Sequence, residues 1–393
     1  MTVWAGLIAL GLGLGASLFL PVPQNLKTSF DAGQSLYALG EYEGAIIEYS
    51  KIVEFDSPAV RTDSVKIAFG EQLELPVVAA AWYQLGNAYK KSGQHDDAVK
   101  AYAQVVGAGD VDEAFRSLVQ FQVAETRFLA KEYAEAAKEY RRYVELFPSS
   151  DVAGKAFFYA GWSEFNQKNY GQAIETLREM LSQYSEDRYA PDSQFRIASS
   201  FFEQGEYQRA IKEAAIVPEK YPNSPVIAQA IYLRANSLDK LEQDSEAIAA
   251  YRDVRSLYDR MFEMLRGSFR EGKNVDFENY RQLFETSSLR VAEILSDDGK
   301  FDEALQELIA AQETAEERFY KAKVQMRIGD LFMRKGKVDE AAWNDAWTAY
   351  GQVIALYADT PYPPNAQYQK GEARYFAGDY VAAREDYLKV LGD

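Results

Sequence analysis

The chain has 393 residues, 47% hydrophobic and 14% aromatic, with 60 acidic against 43 basic side chains, a net charge of -17, one histidine and no cysteine. Without cysteine there is no disulfide, no thiolate metal site, no cysteine nucleophile and no acceptor for a bacterial lipid anchor, while an oxidising compartment stays open to it. The acidic balance opposes nucleic-acid binding, which needs a basic footprint to neutralise phosphates.

Residues 1–26, MTVWAGLIALGLGLGASLFLPVPQNL, contain no charged side chain, and Val3 to Leu20 are apolar or small throughout. Such a run is just long enough to cross a bilayer and too apolar to leave in water. It reads as an uncleaved single-span anchor. A cleaved export signal is the alternative, with weak sites at Gly15 and Ala16 and no basic start; a buried first helix is a third reading. Pro21 and Pro23 end the segment. Lys27 is the only charge beside it, so charge asymmetry does not set orientation.

A first helical pair follows in SFDAGQSLYALGEYEGAIIEYSKIVEFD, with Gly33, Ala45 and Tyr49 at regular positions. From Ser57 to Pro76 helical periodicity gives way to alternation at Val65, Ile67 and Phe69 with a break at Gly70, which reads as an inserted loop or small hairpin. It is either a tolerated surface loop or a partner contact.

Between Ala80 and Val106 the pattern is clearest. Trp82, Leu85, Gly86 and Tyr89, then Ala98, Tyr102 and Val105, give two amphipathic helices meeting across Ser92-Gly93-Gln94. The spacing W-x-x-L-G-x-x-Y, with Ala and an aromatic following in the second helix, resembles the tetratricopeptide repeat. One such hairpin cannot bury its apolar face, so the pattern has to recur. It does: Ala45, Ala98, Ala136, Ala173, Ala210, Ala247, Ala304, Ala346 and Ala383 all sit at the same point of a second helix, and from Ala136 to Ala247 the step is 37 residues three times running. Twelve residues before eight of them stands a small partner: Gly33, Gly86, Ala124, Gly161, Ala198, Ala235, Ala292 and Gly371.

Repeats three to six end their second helices in LFPSSDVAGKA, QYSEDRYAPDS and KYPNSPVIAQA, where Pro148 and Pro222 close a repeat. Over about Glu113 to Leu257 this variant resembles repeats of bacterial envelope proteins, namely the periplasmic coordinator of the Tol-Pal system and the lipoprotein of the outer-membrane barrel assembly machine. The chain departs from both in lacking the lipoprotein cysteine and an N-terminal coiled coil, and in having more repeats. Between repeats six and seven the alanine step stretches to 57 residues, an insertion at about 258–285. Its basic residues Arg255, Arg260, Arg266, Arg270 and Lys273 either dock an acidic partner or pair with nearby Asp259, Glu263 and Glu271. The array resumes and stops at Asp393 without a visible polar cap, leaving Tyr387, Leu388 and Leu391 partly exposed, docked, or at the edge of a fragment.

The resemblance implies that first helices point variable residues into a concave groove. The corresponding positions are Phe30, Tyr83, Phe121, Phe158, Phe195 and Tyr232, then Tyr37, Lys90, Phe128, Phe165 and Phe202, an aromatic ladder suited to an extended or helical peptide. The same rings are equally suited to packing between helices. Asn87 with Lys90 and Lys91 matches positions that hold a terminal carboxylate in chaperone-binding relatives, but later repeats do not complete that clamp. The only histidine, His95, falls in an inter-helix turn and reads as a solvated surface residue, and no nucleophile, phosphate-loop, dinucleotide or metal motif is present.

The reading is an all-α, right-handed superhelical solenoid of about nine tetratricopeptide-like repeats over 27–393, behind the membrane segment 1–26. It would act as a non-catalytic scaffold for protein or peptide partners in the bacterial cell envelope, without cofactor, metal, nucleic acid or small-molecule substrate. The location expected is membrane-anchored with repeats facing the periplasm, or exported and soluble there. A helical accessory subunit of a cell-wall enzyme and a cytosol-facing anchored adaptor are the other functions weighed.

Overall fold

A computed structural model describes residues 26–54, 64–69, 71–109, 111–268, 277–315 and 317–392, with side chains defined outside 66–73 and 259–279. The apolar stretch 1–25, the start of the first insertion and the centre of the second lie outside the described residues. Among the described residues there are eighteen helices and one two-stranded antiparallel sheet, and no helix is long and apolar enough to cross a membrane. The chain divides into two compact units, the first ending at Lys168 and the second beginning at Asn169.

In the first unit α1 (Leu26–Ala38) pairs with α2 (Tyr42–Glu54), α3 (Val77–Lys91) with α4 (His95–Gly107) and α5 (Glu113–Leu129) with α6 (Tyr133–Leu146), and α7 (Ala153–Asn166) follows. Strands β1 (Ser64–Phe69) and β2 (Glu71–Pro76) precede α3, with Val65 opposite Leu75. These two side chains are buried and join the core that holds Val77 and Val78, so the hairpin is fastened to the repeats by its open end. The second unit begins with α8 (Tyr170–Gln183). It continues with the pairs α9 (Ala190–Glu203) and α10 (Tyr207–Lys220), α11 (Ile227–Lys240) and α12 (Asp244–Ser268), α13 (Phe277–Asp297) and α14 (Phe301–Thr314), α15 (Arg318–Lys335) and α16 (Ala342–Leu356), and α17 (Pro363–Phe376) and α18 (Tyr380–Leu391).

The repeat works by close approach. The second-helix alanines, from Ala45 to Ala383, are all at most 1% exposed. Four residues after several of them a tyrosine (Tyr49, Tyr102, Tyr140, Tyr251, Tyr350) is fully buried and crosses to the first helix. The small first-helix residue exists to receive that ring: a Cβ on Gly86 would lie 2.5 Å from Tyr102 Cε1, and Gly33, Gly329 and Gly371 stand in the same relation to Tyr49, Tyr350 and Tyr387. Gly329 precedes its alanine by seventeen residues rather than twelve, because extra residues lie between α15 and α16. In three of these repeats the hydroxyl is satisfied one residue further along: Tyr102 Oη donates to Asn87 Oδ1 at 2.7 Å, Tyr251 to Asn236 Oδ1 at 2.6 Å and Tyr350 to Asp330 Oδ1 at 2.8 Å. A second bond recurs beside it, with Gln120, Gln194 and Gln367 donating across to Glu139, Glu213 and Asp386 at 2.7–2.9 Å. A buried polar group costs little only when paired, so these bonds fix which face of each helix turns inward.

Candidate partner-binding face

The small residue of each first helix points at its own second helix, which leaves an adjoining stripe free to face away from the repeat. The ladder divides on this geometry. Phe30, Tyr83, Phe121 and Phe158 are 1–8% exposed and belong to the interior. Phe30 packs against Tyr49, Tyr83 against Tyr102 and Phe115, and Phe121 against Tyr140 and Tyr143, at centroid separations of 5.2–6.1 Å. Burial pushes the Tyr83 and Tyr102 hydroxyls above the ordinary tyrosine range. These four rings, expected in the groove, lie in the core: the first three follow a buried tyrosine, while Phe158 packs beneath Tyr159 and Trp162 at 5.3 and 5.6 Å.

The positions seven residues on are partly accessible. In the first unit Phe128 of α5 meets Tyr159 and Trp162 of α7, each at 5.3 Å, and Tyr159 and Trp162 are 5.4 Å apart. Tyr159 also stacks on Tyr140 at 5.6 Å. All three rings are half-buried. Lys155, one turn earlier on α7, places Nζ 4.6 Å from the centre of the Phe121 ring and 5.7 Å from that of Tyr159, so a cation borders the patch. Rings of this kind, apolar in body with a polar handle on Tyr and Trp, are what binding faces use for contact area at small entropic cost. The repeat positions expected in the groove include Phe128 and omit Tyr159 and Trp162. The missed signal is the variable position two residues after Phe157, occupied elsewhere by Gln84, Gln122, Arg196 and Leu233.

Of the clamp residues, Asn87 and Lys90 are already committed, while Lys91 is exposed. Asn87 accepts from Tyr102 and donates to Gln84 Oε1 at 3.1 Å, and Lys90 already holds a carboxylate, that of Glu125, at 3.0 Å, together with Gln122. The carboxylate those positions suggested is supplied from within the chain. Phe165 and Tyr37 are half-buried on the same face, Tyr37 with its ring 5.4 Å from Tyr42.

In the second unit Phe195, Phe202 and Tyr232 are half-buried. Phe202 packs edge-on against Tyr207 at 5.4 Å and Tyr232 against Tyr251 at 5.9 Å. Beside Phe195, burial raises the Asp192 carboxyl and lowers the Arg196 guanidinium, each shift opposed by the other's charge. Arg255, the described part of the basic insertion, is paired with Glu307 at 3.2 Å; the remaining basic side chains there lie outside the described ones. His95 opens α4 half-buried, with Nδ1 enclosed and without a hydrogen-bond partner among the described residues, and so is not the solvated turn residue expected of it. No cluster of metal-ligating side chains occurs among the described residues.

Comparison with known families agrees with this geometry. Residues 83–151 match a tetratricopeptide repeat family, 150–271 the YfiO family of outer membrane lipoproteins, and 273–352 a tetratricopeptide repeat-like domain. No relative is found among curated proteins. Similar solved structures include the apo form of RapI, 13% identical over 93% of this chain and 96% of that one, with a TM-score of 0.49. Another is the tetratricopeptide-like repeats of a putative kinesin light chain of Podosopora anserina, 17% identical over 49% and 93%, with a TM-score of 0.37. MamA is 16% identical over 44% and 88%, with a TM-score of 0.37. The chain is an all-α protein of tetratricopeptide-like repeats, of the general class of protein-interaction scaffolds, and its middle stretch is similar to the outer membrane lipoprotein family YfiO.

Proposed function

We propose that the chain is a non-catalytic scaffold of the bacterial cell envelope that holds a segment of a partner polypeptide on the first-helix face of α5 and α7. The observation that carries this is the half-buried group Phe128, Tyr159 and Trp162, bordered by Lys155, on a face where Phe30, Tyr83, Phe121 and Phe158 are turned inward. A preformed aromatic patch on packed helices loses little entropy when a segment settles on it. The envelope setting is supported by the similarity of 150–271 to outer membrane lipoproteins and by the apolar composition of 1–26, which would tether or export the repeats. The partner would be protein or peptide, with the repeats on the periplasmic side.

The test places a photocrosslinking amino acid at position 162 or at position 142, where Arg142 projects from the second-helix side with 57% of its side chain exposed, and irradiates intact cells. The same protein captured from position 162 and not from 142, and lost when Phe128 is changed to Ala, is the expected result. Equal capture at both positions sinks the proposal. Protease added to cells with a permeabilised outer membrane checks location: digestion of the repeats is expected, and protection there would place them on the cytosolic side.

A further inference from the structure

Between α13 and α15, floored by Leu308 of α14, lies a cavity of about 260 Å³ that the aromatic face does not include. Its polar lining includes Arg290, Glu293, Ser296, Lys323, Asp330 and Arg334. Most of these groups are already committed. Arg290 binds both oxygens of Asp239 at 2.7 and 2.8 Å and Glu293 at 2.7 Å. Arg334 is paired with Asp297, and Asp330 receives the Tyr350 hydroxyl as well as Arg327 at 3.2 Å. Two groups are left over. Lys323 has no carboxylate partner among the described residues, and Ser296 is 7% exposed with its hydroxyl unpaired. A buried hydroxyl without a partner carries an unrecovered desolvation cost, and it lines the same space as an uncommitted cation.

The surroundings favour an anion. Helix α15, RFYKAKVQMRIGDLFMRK, carries six basic side chains and one acidic in a chain whose net charge is -17. The volume is below that of a pocket enclosing a whole small-molecule ligand and fits a side chain. One uncommitted cation balances the single charge of a carboxylate rather than the double charge of a phosphate.

We propose that this cavity takes the carboxylate of an Asp or Glu side chain of a partner polypeptide, with Lys323 as the counter-charge and Ser296 as the buried donor. This site lies beyond the aromatic face and stands or falls independently of it.

The experiment measures fluorescence anisotropy of a labelled glutamate-rich peptide, capped at both termini, against the full chain in mild detergent at low ionic strength. The same peptide with every Glu replaced by Gln is the comparison. Saturable binding of the Glu peptide alone is expected. Lys323→Gln weakens it about tenfold, the scale of one charge-assisted hydrogen bond. Ser296→Ala weakens it several-fold while leaving the thermal unfolding midpoint unchanged or raised, since it removes an unpaired buried hydroxyl. A Phe128→Ala, Trp162→Ala chain binds as the parent does, which separates this site from the other. Equal binding of the Gln peptide, or unchanged affinity in the Lys323 or Ser296 variant, overturns the assignment. Displacement by millimolar inorganic phosphate, but not by chloride at equal ionic strength, overturns the carboxylate in favour of a phosphate ligand.

Discussion

Gly86 and Gly171 are both helical glycines, and at the residue scale they pull in opposite directions. A methyl group normally improves a helix by about 1 kcal/mol relative to glycine. At Gly171 nothing lies within 4 Å of the added atom, so Gly171→Ala gains roughly 0.5–1 kcal/mol. At Gly86 the new atom meets the ring of Tyr102, which is fully buried and tied by its hydroxyl to Asn87, so it has nowhere to go. Overpacking outweighs propensity there, and Gly86→Ala loses about 1–2 kcal/mol net. Urea unfolding of both variants beside the parent checks the pair of signs. Asp386 is a sterner case: it is fully buried, accepts from Gln367 at 2.9 Å and lies 2.8 Å from Arg374 and 3.5 Å from Lys370. Asp386→Ala strands those cations and costs about 3–5 kcal/mol, read in the same unfolding experiment.

At the scale of the element, the turn between the two helices of a repeat needs one residue in the left-handed region. Gly40, Gly93, Gly205, Gly299 and Gly378 supply it with φ of 74–82°, whereas Lys131 and Glu242 adopt φ of 61° and 57°. A side chain there costs about 1–2 kcal/mol, partly offset by the smaller entropy its unfolded chain has to lose. Lys131→Gly therefore raises the stability of the α5–α6 hairpin by about 0.5–1 kcal/mol, measured as slower amide exchange in those helices. A fall in protection would show that the lysine's other contacts outweigh the turn. The same scale explains the ladder. Phe121→Ala removes a ring from the interior and costs about 3–5 kcal/mol, so it reports on folding. Trp162→Ala removes a half-covered ring and tests binding at a smaller cost.

For the whole molecule the relevant property is that a repeat touches chiefly its neighbours, so a local lesion stays local. Gly86→Ala is expected to speed amide exchange in α1–α5 and to leave α13–α18 as protected as in the parent. Uniform loss of protection would mean that the array unfolds as one body. This near-neighbour design is also why repeat count, hairpin boundaries and the buried alanines were legible in the chain. Ala98 has to be small, and the residue four after it has to turn inward, wherever the repeat occurs, so the constraint is printed periodically.

The binding face was legible only in outline. Phe121 and Phe128 look alike in sequence, both aromatic on one first helix, and only the position of Tyr140 and Tyr143 decides that the first is enclosed while the second meets Tyr159 and Trp162 of the next repeat. The same holds for Asn87 and Lys90, whose partners Tyr102 and Glu125 lie 15 and 35 residues away. It holds again for Ser296 and Lys323, which share a cavity without sharing a motif. The all-α repeat, its length and its acidic character are written in local periodicity and composition, and can be read without coordinates. Which side chains remain available to a partner was decided by the tertiary structure alone, because availability is what is left after neighbouring helices have claimed their hydrogen bonds and buried their rings.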